Sequence, residues 1–226
     1  MDWVLHRSNT AERIRDGIAA GFDRLEIDVW YKRGELRLSH DPSVGRLVVG
    51  PNGVALGAPP GPRRWLSVVR VVGSHLTLPD VAGSPSALPS LVLDLKGRWP
   101  AAGLERLAAL RQESPDAVVC WDVATIERYA GLRPGVLPMY AERQATGPLL
   151  ERFRRAAAEG KPVAVSARAQ TLLGGEGGPL LATWRDAGLR IYVWDVPDLD
   201  ALRRVLRLGI DGAIVHEPAW IGAVAA

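Results

Sequence analysis

Residues able to hold a cation or move a proton fall at the ends of short apolar runs in this chain. Glu26 and Asp28, in Leu25-Glu26-Ile27-Asp28-Val29, stand two apart on a strand-like segment, so their side chains share a face. If Leu25, Ile27 and Val29 pack against helices, both carboxylates point inward together. Converging carboxylates repel and are costly to bury unless a proton or cation neutralises them. Asp94 interrupts Leu91-Val92-Leu93-Asp94-Leu95 in the same way and offers a third oxygen. Taken singly, Glu26 or Asp94 would simply pair with Arg24 or Lys96; the three together suit one hard divalent cation, Mg²⁺ or Ca²⁺.

His6 closes the run Trp3–Leu5, and His40 follows Leu36-Arg37-Leu38-Ser39. Histidine changes protonation near neutral pH, as a general acid or base must. Two histidines at strand ends beside carboxylates point to proton transfer. Arg7 and Lys96 are placed to neutralise an anionic substrate such as phosphate, Arg as a planar fork and Lys as a point charge.

Eight short apolar runs can carry these groups: Trp3–Leu5, Arg24–Asp28, Ser90–Leu95, Ala117–Trp121, Gly135–Met139, Pro162–Ser166, Arg190–Trp194 and Gly212–Val215. Helix-period stretches alternate with them, including Thr10–Ala20, Leu104–Leu110, Leu149–Ala158 and Leu199–Leu208, three of which meet glycine stops at Gly21, Gly160 and Gly209. Eight strand–helix units are what a closed (β/α)₈ barrel needs, and in that fold reactive side chains project from the C-terminal strand ends. Leu36–Ser39 follows Glu26–Trp30 too closely for a parallel crossover, so it must return as a hairpin or replace one of the other strands. After this third strand-like segment the Gly/Pro-rich stretch 42–89 reads as an insertion on the barrel that could cover its mouth. The cluster Gly174-Gly175-Glu176-Gly177-Gly178 reads as a flexible loop lacking the Lys-Ser/Thr of a phosphate-binding P-loop.

At 226 residues the chain suits one domain, 1–226. Its net charge of +3 comes from dispersed arginines. The Arg13–Arg15, Arg63–Arg64, Arg152–Arg155 and Arg203–Arg207 groups read as solvated helix faces rather than a nucleic-acid surface. Cys120, the single cysteine, excludes an internal disulfide and reads as a core residue. No stretch approaches the roughly 20 apolar residues of a membrane span, and no signal-like apolar region precedes His6, so a cytoplasmic location is expected.

These residues resemble, over nearly the whole chain, the glycerophosphodiester phosphodiesterase family, among barrel phosphodiesterases related to phosphatidylinositol phospholipase C. His6-Arg7 matches the family's His-Arg-Gly, Glu26-Ile27-Asp28-Val29 its Glu-x-Asp-Val, His40-Asp41 its His-Asp, and Asp94-Leu95-Lys96 its Glu-x-Lys. Val193-Trp194 matches a late Val-Trp, and Gly209–Ile214 the closing Gly-Val-Asp-Gly-Ile-Ile. The resemblance implies a metal-dependent phosphodiesterase with His6 and His40 as acid and base, Glu26, Asp28 and Asp94 as metal ligands, and Arg7, Lys96 and Trp194 against the substrate. Hydrolysis of a glycerophosphodiester to an alcohol and glycerol phosphate is the expected reaction.

The chain also departs from the family. Ser8 replaces the glycine of His-Arg-Gly, and only Asn9-Thr10 remains of a longer Glu-Asn-Thr loop. Asp94 stands where Glu is usual, as in sphingomyelinase D-like barrels, which keeps a lyase releasing a cyclic phosphate open. The eroded loop keeps a catalytically inactive binding barrel open as well. His216-Glu217-Pro218 replaces Thr-Asp-x-Pro and reads as a change in a closing turn.

Overall fold

A computed structural model describes residues 1–40, 43–44, 47–49, 69–71, 90–111 and 116–225. In chain order its strands are β1 (Asp2–Leu5), β2 (Arg24–Lys32), β3 (Glu35–Leu38), the short β4 (Ser43–Val44), β5 (Leu47–Val49) and β6 (Val69–Val71), then β7 (Ser90–Lys96), β8 (Ala117–Cys120), β9 (Leu137–Ala141), β10 (Ala164–Arg168), β11 (Arg190–Trp194) and β12 (Gly212–Val215). Eight of them pair in parallel in the order β1-β12-β11-β10-β9-β8-β7-β2, and the pairing of β1 with β2 closes the ring. This is the expected (β/α)₈ barrel.

Among the described residues the α-helices are α1 (Ala11–Ala19), α2 (Ala101–Leu110), α3 (Val123–Leu132), α4 (Gly147–Ala158), α5 (Ala169–Leu173), α6 (Gly177–Asp186), α7 (Leu199–Arg207) and α8 (Trp220–Ala225). Local chemistry sets their starts: Thr10, Asp122 and Asp198 accept backbone N–H groups of the first turns of α1, α3 and α7. In α7 the buried Ala201, Leu202 and Val205 face the barrel while Arg203, Arg204 and Arg207 are solvated. The stops at Gly21, Gly160 and Gly209 adopt φ of 77°, 75° and 69°. None of the helices among the described residues is long and apolar enough to cross a membrane.

Two apolar layers follow from strand alternation. Leu25, Ile27, Val29, Leu91, Leu93 and Leu95 pack outward with the helices. Val4, Val92, Leu137, Met139, Tyr192 and Ile214 fill the barrel interior. β3 returns antiparallel to β2 through Arg33-Gly34, with φ of 52° and 82°, a two-residue hairpin turn.

One expectation changes. Gly177 and Gly178 open α6 and do not lie in a loop. Within the expected insertion 42–89, β4, β5 and β6 form a separate antiparallel sheet, while the rest of it, including Arg63–Arg64 and any cover over the barrel mouth, lies outside the described residues.

Candidate active site

The C-terminal ends of β1, β2 and β7 converge on one cluster. In the parallel register of β2 and β7, Asp28 lies beside Asp94 and Trp30 beside Lys96. Glu26 and Asp28 are 3% and 0% exposed, so the outward packing of Leu25, Ile27 and Val29 does turn both carboxylates inward. One oxygen from each of Glu26, Asp28 and Asp94 lies within 4.8 Å of the others.

Lys96 is the cation between two of them. Its Nζ is 2.5 Å from Asp94 Oδ2 and 2.8 Å from Asp28 Oδ1. Asp28 Oδ1 is nevertheless a buried oxygen without a hydrogen bond of acceptable geometry, so the lysine contact is an ion pair only. Burial would lower the lysine pKa, but Asp94 and Asp28 outweigh it and raise it. The carboxylates stay under-compensated. Burial, then the charges of Asp28 and Asp94, pushes Glu26 well above the usual carboxylate range. Burial also raises Asp94, although Lys96 opposes it.

The turn after β1 is tied to β2 atom by atom. Arg7, at φ 54°, donates its backbone N–H to Glu26 Oε2 at 2.5 Å, and Ser8 donates its N–H to the Glu26 carbonyl at 2.7 Å. Ser8, fully buried, gives its hydroxyl to the Leu5 carbonyl at 3.1 Å. Asn9 brackets Asp28: its Nδ2 donates to Oδ2 at 2.6 Å and its Oδ1 accepts the Asp28 N–H at 2.9 Å. The shortened loop therefore still orients both carboxylates of β2.

The histidines flank the cluster. His6 Nε2 is 3.8 Å from Glu26 Oε2, and its Nδ1 is 3.0 Å from His216 Nε2. Burial, reinforced by His216, Arg7 and Lys96, pulls the His6 imidazole down to about 2. His40 Nε2 accepts a hydrogen bond from Arg7 Nη2 at 2.9 Å. Both histidines, Glu26, Asp94 and Lys96 open into a cavity of about 320 Å³. Val92, Val119 and Ile214 supply its apolar part, with Trp121 and Trp194 beside them. Arg143 stacks over Trp121 at 4.1 Å and Arg168 over Trp194 at 5.1 Å.

No family model matches the sequence, and no curated protein matches it. Solved structures do match. The glycerophosphodiester phosphodiesterase of Thermotoga maritima superposes with a TM-score of 0.70 at 20% identity, covering 99% of this chain and 98% of that one. The Agrobacterium tumefaciens enzyme of the same description gives 0.68 at 17% identity over 99% of each chain. An Oleispira antarctica phosphodiesterase, solved with the product sn-glycerol-3-phosphate, gives 0.73 at 14% identity over 100% of this chain and 97% of that one. The chain has the glycerophosphodiester phosphodiesterase fold.

On that fold, His6, Arg7, Glu26, Asp28, His40, Asp94, Lys96 and Trp194 gather around a single cavity or its immediate wall. Four neighbours carried no weight in the sequence: Asn9, Arg13, Trp121 and His216. Arg13, read as part of a solvated face, is half-buried and donates to the His6 carbonyl at 3.3 Å and to the His216 carbonyl. His216 is not a neutral change in a closing turn, because its ring lies against His6 with centroids 4.3 Å apart. The signal was available, since His216 directly follows β12 just as His6 follows β1.

Proposed function

We propose that the protein is a phosphoric diester hydrolase that cleaves a glycerophosphodiester to an alcohol and glycerol phosphate with one divalent cation, Mg²⁺ or Ca²⁺. The observation that carries this reading is the carboxylate cluster of Glu26, Asp28 and Asp94, set between two histidines at the C-terminal barrel face.

The donors fit a hard cation. Three carboxylates share about one site, and Asp28 keeps a buried oxygen without a hydrogen bond. Glu26, Asp28 and Asp94 would hold the ion, which supplies charge stabilisation to the phosphate oxygens as the transition state develops. Lys96 and Arg7, which line the same cavity, bind the remaining phosphate charge. One histidine takes a proton from the attacking water at an unprotonated ring nitrogen. The new P–O bond forms as the P–O bond to the alcohol breaks, and the other histidine gives its proton to the departing alkoxide.

The size of the cavity, about 320 Å³, suits a compact headgroup diester. The Oleispira phosphodiesterase of the same fold, held with sn-glycerol-3-phosphate, supports glycerol phosphate as the product. The test is phosphorus NMR of the purified protein with Mg²⁺ or Ca²⁺ and glycerophosphocholine, a lysophospholipid or a cyclic phosphate. Release of glycerol phosphate is expected. A persistent cyclic phosphate would establish a lyase instead, and no turnover of any substrate would establish a binding barrel.

A further inference from the structure

We propose that His216 is a positioning residue that fixes the tautomer of His6, so that His6 presents Nε2–H to the cavity. The contact is built by strand register. Leu5 pairs with Val215 in the parallel ladder of β1 and β12, so His6 and His216 are the next residues of two adjacent strands. The His6 N–H donates to the Val215 carbonyl at 2.9 Å, and Arg13 donates to the carbonyls of both histidines. The two backbones are thereby clamped, and the rings meet with Nδ1 of His6 3.0 Å from Nε2 of His216.

At 3.0 Å the two nitrogens share one proton, and when both imidazoles are neutral either ring can supply it, because each has one donor and one acceptor. The far side of His6 decides where it belongs. Its Nε2 faces Glu26 Oε2 at 3.8 Å. Glu26 Oε2 already accepts the Arg7 N–H at 2.5 Å and is an acceptor in either charge state of the carboxyl group, so a proton on His6 Nε2 turns an N–H toward it, whereas a lone pair there would set two electron-rich atoms against each other. His216 Nε2–H therefore donates to His6 Nδ1, and His6 keeps its own proton on Nε2. The imidazole partner performs the orienting role that a second residue commonly performs for a catalytic histidine. His40 is held in the complementary form, since Arg7 can only donate to its Nε2.

The inference deepens the phosphodiesterase reading, but its first test is independent of activity. Long-range proton–nitrogen NMR of the labelled protein in EDTA near neutral pH reads the tautomer of each of the four histidines, with His6 assigned by its loss in His6→Gln. The wild type should show His6 protonated at Nε2. His216→Phe keeps a ring but has no donor, and should mix or invert the His6 tautomer; His216→Gln retains an amide N–H and should restore it. With a turned-over substrate, His216→Phe should lower kcat about 10- to 100-fold with KM within about twofold, and Gln should recover most of the loss.

A wild-type His6 protonated at Nδ1, or a His6 tautomer or a kcat unchanged in His216→Phe, overturns the inference. If the Phe variant does not fold, the wild-type tautomer and the Gln variant decide it. Absence of turnover in the wild type sinks the phosphodiesterase reading, while the NMR result still decides the role of His216.

Discussion

Replacing Lys96 by methionine isolates the electrostatics of the carboxylate cluster from the rest of the barrel. The Lys96 side chain is 16% exposed and its partners Asp28 and Asp94 are 1% and 20% exposed. Removing one partner of a buried pair costs about 3–5 kcal/mol, and partial solvent access to Asp94 brings the expected loss to about 3 kcal/mol. For a chain of this length that lowers Tm by about 6–12 °C. The ammonium adds no pH dependence near neutrality. Its pKa is raised above 10.5 in the folded state, so its contribution is complete below that value and fades only as pH rises further.

The carboxylates carry the pH dependence. Glu26 and Asp94 have folded pKa values raised above 4.5 and 3.8, so the metal-free folded state takes up protons more readily than the unfolded chain and gains stability as pH falls. Without Lys96 those protons relieve a larger repulsion. The deficit of Lys96→Met should therefore shrink between pH 8 and pH 5.5. Saturating cation should shrink it at pH 8 as well, because a cluster that lacks the Lys96 charge gains more from the ion and binds it more tightly than the wild type, each tenfold in Kd offsetting about 1.4 kcal/mol of the deficit. Thermal unfolding in EDTA and in Mg²⁺ or Ca²⁺, at both pH values, measures all of this. Equal Tm values for variant and wild type in EDTA at pH 8, or a deficit that grows on acidification, would refute the reasoning.

Three further outcomes are expected. His40→Ala should lower kcat about 10²- to 10⁴-fold while Tm changes by only a few degrees, because His40 is half-exposed just past the end of β3; steady-state kinetics and a thermal melt decide it. Gly212→Ala places a Cβ 2.4 Å from the ring of Tyr192, whose hydroxyl donates to Asp2 at 2.5 Å inside the barrel, and should cost about 1–3 kcal/mol in urea unfolding with an unchanged slope. Asp116→Asn leaves Arg111 buried without the carboxylate that it holds at 2.7 and 2.8 Å, and should cost about 3–5 kcal/mol in the same assay.

The barrel was legible because a parallel strand covered on both faces is a short apolar run, and eight such runs separated by helix-period stretches admit few other arrangements. Glu26, Asp28 and Asp94 stood out for the same reason, as charges interrupting those runs. Arg13 looked like any arginine on an amphipathic helix; what distinguishes it is contact with carbonyls of residues 6 and 216, which no local pattern encodes. The glycine cluster misled because Gly177 is glycine for space: a Cβ there would lie 2.0 Å from the Leu172 carbonyl oxygen, where α5 and α6 nearly touch. Composition alone reads such a residue as flexibility.

The same pairing that assembles the carboxylates also protects them from misplacement. In the register of β2 with β7, Leu25, Ile27 and Val29 lie beside Leu91, Leu93 and Leu95, all on the helix side and all fully buried. A one-residue turnover of β2 would exchange these three for Glu26, Asp28 and their neighbours. It would drive carboxylates into the apolar layer, away from Lys96, Asn9 and the Arg7 N–H. Each buried charge without a partner costs several kcal/mol, comparable to the whole stability of a domain when two are misplaced. The outward leucine, isoleucine and valine side chains therefore determine the chemistry of the inward face, and conservative changes at Ile27 or Leu93 that loosen this packing act on the carboxylate geometry without touching a charged residue.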